Sequence, residues 1–200
     1  MCRIAREATQ AQRTLVASYL RSRGITLPVP DALRYLPSLR HRSGFSGPAM
    51  IAIVTRGEDP RPVAIHRTWL APDGTGKAPV EPAKMMLGPC RGGAVRLAEA
   101  GSALMVGEGI ETCLAAMQAT GKSAWAALSA SGLAALEVPD GVREVIILAD
   151  GDDAGEGAAQ ACARRQMRQG RRVRIARPPR GMDFNDVLLG RSFHCGEGKP

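Results

Sequence analysis

Two stretches of the chain set carboxylates between glycines directly after short apolar runs. Gly107-Glu108-Gly109 follows Ala-Leu-Met-Val at 103–106, and Asp150-Gly151-Asp152-Asp153-Ala154-Gly155 follows Val-Ile-Ile-Leu-Ala at 145–149. If both runs are strands of one sheet, Glu108, Asp150 and Asp152 meet at one edge. Bare carboxylates about 4 Å apart repel by roughly 4 kcal/mol at an effective dielectric near ~20, so such a cluster calls for a cation. Oxygen donors without His or Cys suit a hard ion, Mg²⁺ or Mn²⁺, which keeps several waters and meets substrate phosphates. The flanking glycines let backbone and phosphate approach closely. Any one of these acids alone is ordinary turn or cap chemistry, and Asp153, just ahead of an alanine-rich stretch, suits a helix N-cap better than a metal. The combination carries the reading.

The elements that would position these acids can be read from periodicity. In the second half, strand-like runs at 103–106, 123–128, 145–149 and 172–176 alternate with helical spacing at 110–120, 131–136 and 154–169. Strand and helix in alternation predict a parallel sheet covered on both faces, with function at the strand C-termini. The first half has a different rhythm. A helix is expected from about Ala8 to Arg23, stopped by Gly24, and then Pro28 and Pro30 break the chain. A hairpin follows, with AMIAIVT and PVAIHRTWL flanking a turn over Gly57–Pro60, and KMMLG and AVRLA read as two further short strands.

The 200 residues carry 27 Lys and Arg against 19 acids, a net charge of +8. The excess is local: residues 1–98 hold 15 basic and 6 acidic residues, residues 99–200 hold 12 and 13. A basic lobe favours a polyanion, and with only 4% aromatic residues, phosphate contacts outweigh base stacking. No run approaches the roughly 20 apolar residues of a membrane span, and a cytoplasmic, membrane-free protein is expected. The five cysteines, Cys2, Cys90, Cys113, Cys162 and Cys195, lack any C-x-x-C spacing. They read as reduced thiols, and zinc is not expected.

G-E-G after one strand and D-x-D-x-A-G after a later one resembles the Toprim domain shared by bacterial-type primases, topoisomerases and some nucleases. Together with YLRSRGI, PAMIAIV, AIHRTWL, KMMLG, GEGIETCLAA and DFNDVL, it is similar to the primase-type Toprim proteins of phages and mobile elements. The resemblance implies an α/β Toprim fold over 99–191, a doubly wound, mostly parallel four-stranded sheet. A small basic α+β lobe over 1–98 would precede it, and a frayed tail over 192–200 would follow. It implies Glu108 as the acid/base residue and Asp150 and Asp152 as ligands of Mg²⁺ (or Mn²⁺). Glu111, Asp183 and Asp186 are second-tier candidates; many primases place an acid where Thr112 stands here. Arg67, Lys84 and Lys77 are the implied phosphate contacts, with Arg91 and Arg96 weaker. Arg171, Arg172 and Arg174 read as edge protection or a secondary phosphate contact. Gly121-Lys122-Ser123 echoes a P-loop, but Ala116 replaces its first glycine.

The activity implied is Mg-dependent nucleotidyl transfer, a DNA primase-like reaction making primers on single-stranded DNA from nucleoside triphosphates in phage or mobile-element replication. A metal-dependent nuclease could use the same acids, and a non-catalytic nucleic-acid-binding replication accessory protein could retain the fold. A helicase or zinc-binding partner protein is expected to complete the primase function.

Overall fold

The structure is a computed structural model that describes residues 3–179 and 182–190. The expected tail over 192–200 lies outside the described residues, as do Cys2 and Cys195. The elements run α1 (Arg3–Glu7), β1 (Thr9–Gln10), α2 (Leu15–Ser22), β2 (Leu33–Arg40), β3 (Ser46–Arg56), β4 (Asp59–Trp69), β5 (Lys84–Leu87) and β6 (Gly93–Arg96). There follow β7 (Ala103–Gly107), α3 (Ile110–Thr120), β8 (Ala124–Ala126), α4 (Ala130–Ala135), β9 (Glu144–Leu148), α5 (Asp153–Arg168), β10 (Arg172–Ala176) and α6 (Phe184–Leu188). No helix among the described residues is long and apolar enough to cross a membrane.

The first helix is shorter than its apolar spacing predicts. Thr14 caps α2, its hydroxyl accepting from the Val16 N–H at 3.3 Å, and Arg13 takes a left-handed φ of 60°. Those two residues end any helix upstream, and Thr9 and Gln10 instead pair with β2. Strand β2 itself escapes a reading by alternation, because Pro37 falls within it and its register with β3 shifts between Leu36 and Leu39. The hairpin β3–β4 forms as expected, and β5 pairs β4 with Lys84 opposite Thr68 and Met86 opposite His66. Strand alternation divides this sheet. Met50, Ala52 and Ala64 join the packing beneath α2, while Ile51, Ile65 and Trp69 face the other side with Ala5 and Leu39.

Strand β6 joins the two halves. It pairs antiparallel with β3 through Thr55 and Ala94, and antiparallel with β8 through Val95 and Ala126, so that one ten-stranded sheet runs through the molecule. Arg96 reinforces this seam: its guanidinium lies 4.6 Å from the Trp125 ring centre and donates to the Gly57 carbonyl.

Beyond the seam, β8, β7, β9 and β10 lie side by side and parallel. Leu104, Val106, Val145 and Ile147 pack with Ala158, Ala159 and Cys162 of α5, and Met105, Ile146 and Leu148 pack with Cys113 and Leu114 of α3. This is the doubly wound, four-stranded parallel sheet that the Toprim resemblance implies. From β7 the chain winds to β8 on one side, and β9 lies on the other, so the winding direction reverses between β7 and β9. The crevice beyond their carboxyl ends is the standard place for a ligand in such a sheet. Cys113 and Cys162 are free and buried, and burial pushes the Cys162 thiol up to about 11.

Arg171 is neither an edge guard nor a phosphate contact. Its side chain is 7% exposed. It donates to the carbonyls of Val138 (2.9 Å), Pro139 (3.2 Å) and Val142 (3.1 Å) and to Gln166 Oε1 (3.1 Å), tying the loop before β9 to the end of α5. Arg174 pairs with Glu144 at 2.7 Å across the β9–β10 ladder. Arg171→Ala leaves several carbonyls without a donor and should lower unfolding free energy by about 3 kcal/mol in urea titrations.

Candidate active site

The parallel register places Gly107 opposite Leu148, so Glu108 and Asp150 leave the sheet at nearly the same level. Glu108 is partly buried, and its Oε1 is enclosed with no hydrogen-bond partner among the described residues. Its carboxyl is pushed up, first by burial and then by the charges of Asp150 and Asp152. Asp150 is pushed up by burial, then by Asp152 and Asp183, with Lys84 opposing. The three acids read from the sequence therefore share one electrostatic neighbourhood, and Asp183 joins them.

Asp152, not Asp153, caps α5. Its Oδ1 accepts from the Gly155 N–H at 2.7 Å, and Asp153 is the first helical residue. The helix starts one residue earlier than its alanine content suggests, because Asp153 takes helical geometry and leaves the extended cap position to Asp152. Gly155 matters by its size. A Cβ there would lie 2.8 Å from Asp150 Cβ and 2.9 Å from the Asp150 carbonyl oxygen, so the first turn of α5 rests directly on the acidic loop. Asp183 and Asp186 form a reciprocal capping box on α6, with Asp186 N–H to Asp183 Oδ1 at 2.7 Å and Asp183 N–H to Asp186 Oδ2 at 3.2 Å. Asn185, buried between them, has its amide against Arg23, which brings this turn to the end of α2.

Among the described residues no group of three His, Cys, Asp or Glu side chains is placed to hold a metal ion. The residues present nevertheless fit a hard cation held by fewer protein ligands. An enclosed, unpartnered Glu108 oxygen lies among acids whose charges push the Glu108 and Asp150 carboxyls up, and the donors are all oxygen. Mg²⁺ commonly takes one or two carboxylates and completes its octahedron with water and phosphate, which does not require three protein ligands.

Across from the acids lies a basic group on the face of β4 and β5 that packs beneath α2. Lys84 Nζ stands 3.1 Å from Glu111 Oε1 and 3.2 Å from Glu111 Oε2. Tyr19 donates its hydroxyl to the same Oε1 at 2.6 Å. Glu111 is only 8% exposed. Burial alone would raise its carboxyl, but Lys84, the Tyr19 hydroxyl and Lys77 together hold it down at about 2. Lys77 lies beside Lys84, its ammonium pushed down by burial and by that neighbour. His66 is buried in the same group; burial, then Lys84, press it down to about 4, so its ring is neutral at pH 7. Arg67 acts on this group through its charge, which also presses His66 down. It alternates to the opposite face of the sheet, 5.3 Å from the Trp69 ring centre, and donates to the Met86 carbonyl at 3.2 Å. Tyr19 was not among the site residues read from the sequence. It lies 92 positions from Glu111, and its apolar helix spacing marks it only as core.

Comparison with known proteins accords with this geometry. Residues 103–192 match a Toprim domain model, and residues 1–97 match a model described as a domain of unknown function, DUF7146. No curated protein matches the sequence. Among solved structures, a DNA primase domain from Pseudomonas aeruginosa is 18% identical, with a TM-score of 0.59 over 94% of this chain and 72% of that one. The DnaG catalytic core is 17% identical, with a TM-score of 0.61 over 90% of this chain and 71% of that one. The primase fragment of the bacteriophage T7 primase-helicase protein is 17% identical, with a TM-score of 0.53 over 92% of this chain and 70% of that one. Identities at this level speak to the fold, and the domain match speaks to the second half. The chain has a primase-like fold whose second half matches a Toprim domain.

Proposed function

We propose that this protein is a primase-type nucleotidyltransferase that makes primers on single-stranded DNA in phage or mobile-element replication. The observation that carries the reading is the enclosed, unpartnered Glu108 carboxylate oxygen beside Asp150 at the β7–β9 crevice, with Lys84 within electrostatic reach of Asp150. In this reading Asp150 and Asp152 hold Mg²⁺, with Asp183 on the rim of the same site. The bound ion would supply charge to the triphosphate and acidify the attacking hydroxyl. Glu108, its carboxyl pushed up by burial and by the neighbouring acids, would accept or relay that proton. Lys84 and Lys77 would meet the phosphates. The lobe over 1–98, which holds most of the positive charge, would grip the template, while residues 99–191 carry the acids. A helicase or zinc-binding protein is the partner class this reading calls for.

The deciding assay is incorporation of labelled nucleotides on single-stranded DNA with Mg²⁺. Primers support the proposal; a shortened template would indicate a nuclease, and binding without product an accessory role. Asp150→Asn should abolish synthesis with an unchanged circular dichroism spectrum. Asp152→Asn is the more discriminating variant, because asparagine caps a helix about as well as aspartate. It should keep wild-type stability and still lose activity, whereas Asp152→Ala should also lose about 1 kcal/mol of stability. Because the carboxylates repel, Mg²⁺ should raise the melting temperature of the wild type and leave that of Asp150→Asn nearly unmoved. Lys84→Ala should weaken binding to single-stranded DNA and reduce the slope of log affinity against log salt by about 0.7.

A further inference from the structure

Lys84 pairs with one acid and acts through its charge on a second, and the two would use it in opposite ways. Its ammonium spans both oxygens of Glu111, at 3.1 and 3.2 Å, and its charge also reaches Asp150 in the crevice. The lysine side chain is 36% exposed on a flexible stem. If it closed on Asp150, it would occupy with a protein cation the carboxylate that a divalent ion needs.

Three features bind it to Glu111 instead. Glu111 is buried in the first turn of α3, where the N-terminal dipole favours its charge. The Tyr19 hydroxyl, donating to Oε1 at 2.6 Å, holds that oxygen in place from α2. Burial also leaves the carboxylate little water, so its attraction for the ammonium is screened less than that of the more exposed acids at the crevice. Lys77, beside Lys84, adds a repulsion that the anion at Glu111 opposes.

We infer that Glu111 and Tyr19 are positioning residues that clamp Lys84 away from Asp150, keeping the crevice carboxylates open to a divalent cation. The cation arm of this inference rests on the reading of Asp150 as a ligand given above; the clamp itself does not. Glu111 acts through Lys84 and touches no reacting group.

The experiment follows Lys84 by NMR in protein labelled with ε-¹³C-lysine, the signal assigned with Lys84→Met, and measures Mn²⁺ binding by electron paramagnetic resonance without nucleotide. In Glu111→Gln the Lys84 ε-methylene signal should move, and the Mn²⁺ dissociation constant should rise about fivefold, the effect of one competing ion pair. Glu111→Gln combined with Lys84→Met should return Mn²⁺ affinity to that of Lys84→Met alone, an outcome that general damage to the fold would not produce. Tyr19→Phe keeps the ring in the core and should shift both readouts in the same direction by less, which keeps the test open if Glu111→Gln folds poorly. An unmoved Lys84 signal in folded Glu111→Gln and Tyr19→Phe overturns the inference, as does a double variant that binds Mn²⁺ as weakly as Glu111→Gln. If the wild type binds no Mn²⁺ while the Lys84 signal moves, the cation reading of Asp150 falls and the clamp stands.

Discussion

The parallel pairing of β7 with β9 is the constraint on which the rest of this molecule depends. It forces Glu108 and Asp150 out of the sheet side by side, at the point where the winding of the helices reverses. Nothing in the local chain favours that juxtaposition, since burial and the charge of Asp150 push the Glu108 carboxyl up. The apolar layers above and below the strands hold it: Val106 and Ile147 on one side, Met105 and Leu148 on the other, all nearly inaccessible to water. Burial of four such side chains contributes several kcal/mol, enough to outweigh carboxylate repulsion near a solvated edge.

The two halves of the chain are joined at more than one level. Strand β6 continues the hydrogen-bond ladder from the antiparallel to the parallel strands, so the halves share one sheet. Beneath it, the apolar cluster that holds Val16 and Leu20 of α2 also holds Ile110 and Leu114 of α3. At its rim, Tyr19, Glu111 and Lys84 connect α2, α3 and β5 through one carboxylate. A carboxylate this buried is costly unless its charge is matched on both oxygens, and here a lysine and a phenol match it. The basic surface of one half is thereby set at a defined distance from the acids of the other, which separate domains on a flexible linker would not achieve.

Much of the parallel half was legible before folding was considered. The runs at 103–106 and 145–149 are apolar and short, RVRIA at 172–176 alternates, and Ile110, Leu114 and Met117 recur at helical spacing. The antiparallel half was less so. Strand β2 hides behind Pro37 and a register shift, and α2 begins late because of Arg13 and Thr14 rather than any change in hydrophobicity. Asp152 and Asp153 are adjacent acids of equal capping propensity, and only the observed start of α5 separates their roles.

Residue order therefore carries the acids, their placement after strands, the sign of the charge on each half and the Toprim resemblance, because each depends on neighbours within a few positions. The folded chain was needed for the rest. Whether a strand residue faces the crevice or the far side depends on pairing register, which sends Lys84 toward Glu111 and Arg67 toward Trp69. Whether an acid is paired or open depends on partners far along the chain, as with Tyr19 and Glu111 across 92 positions. Local preference cannot encode such a contact, since its energy exists only after two distant segments have been brought together by the burial of everything between them.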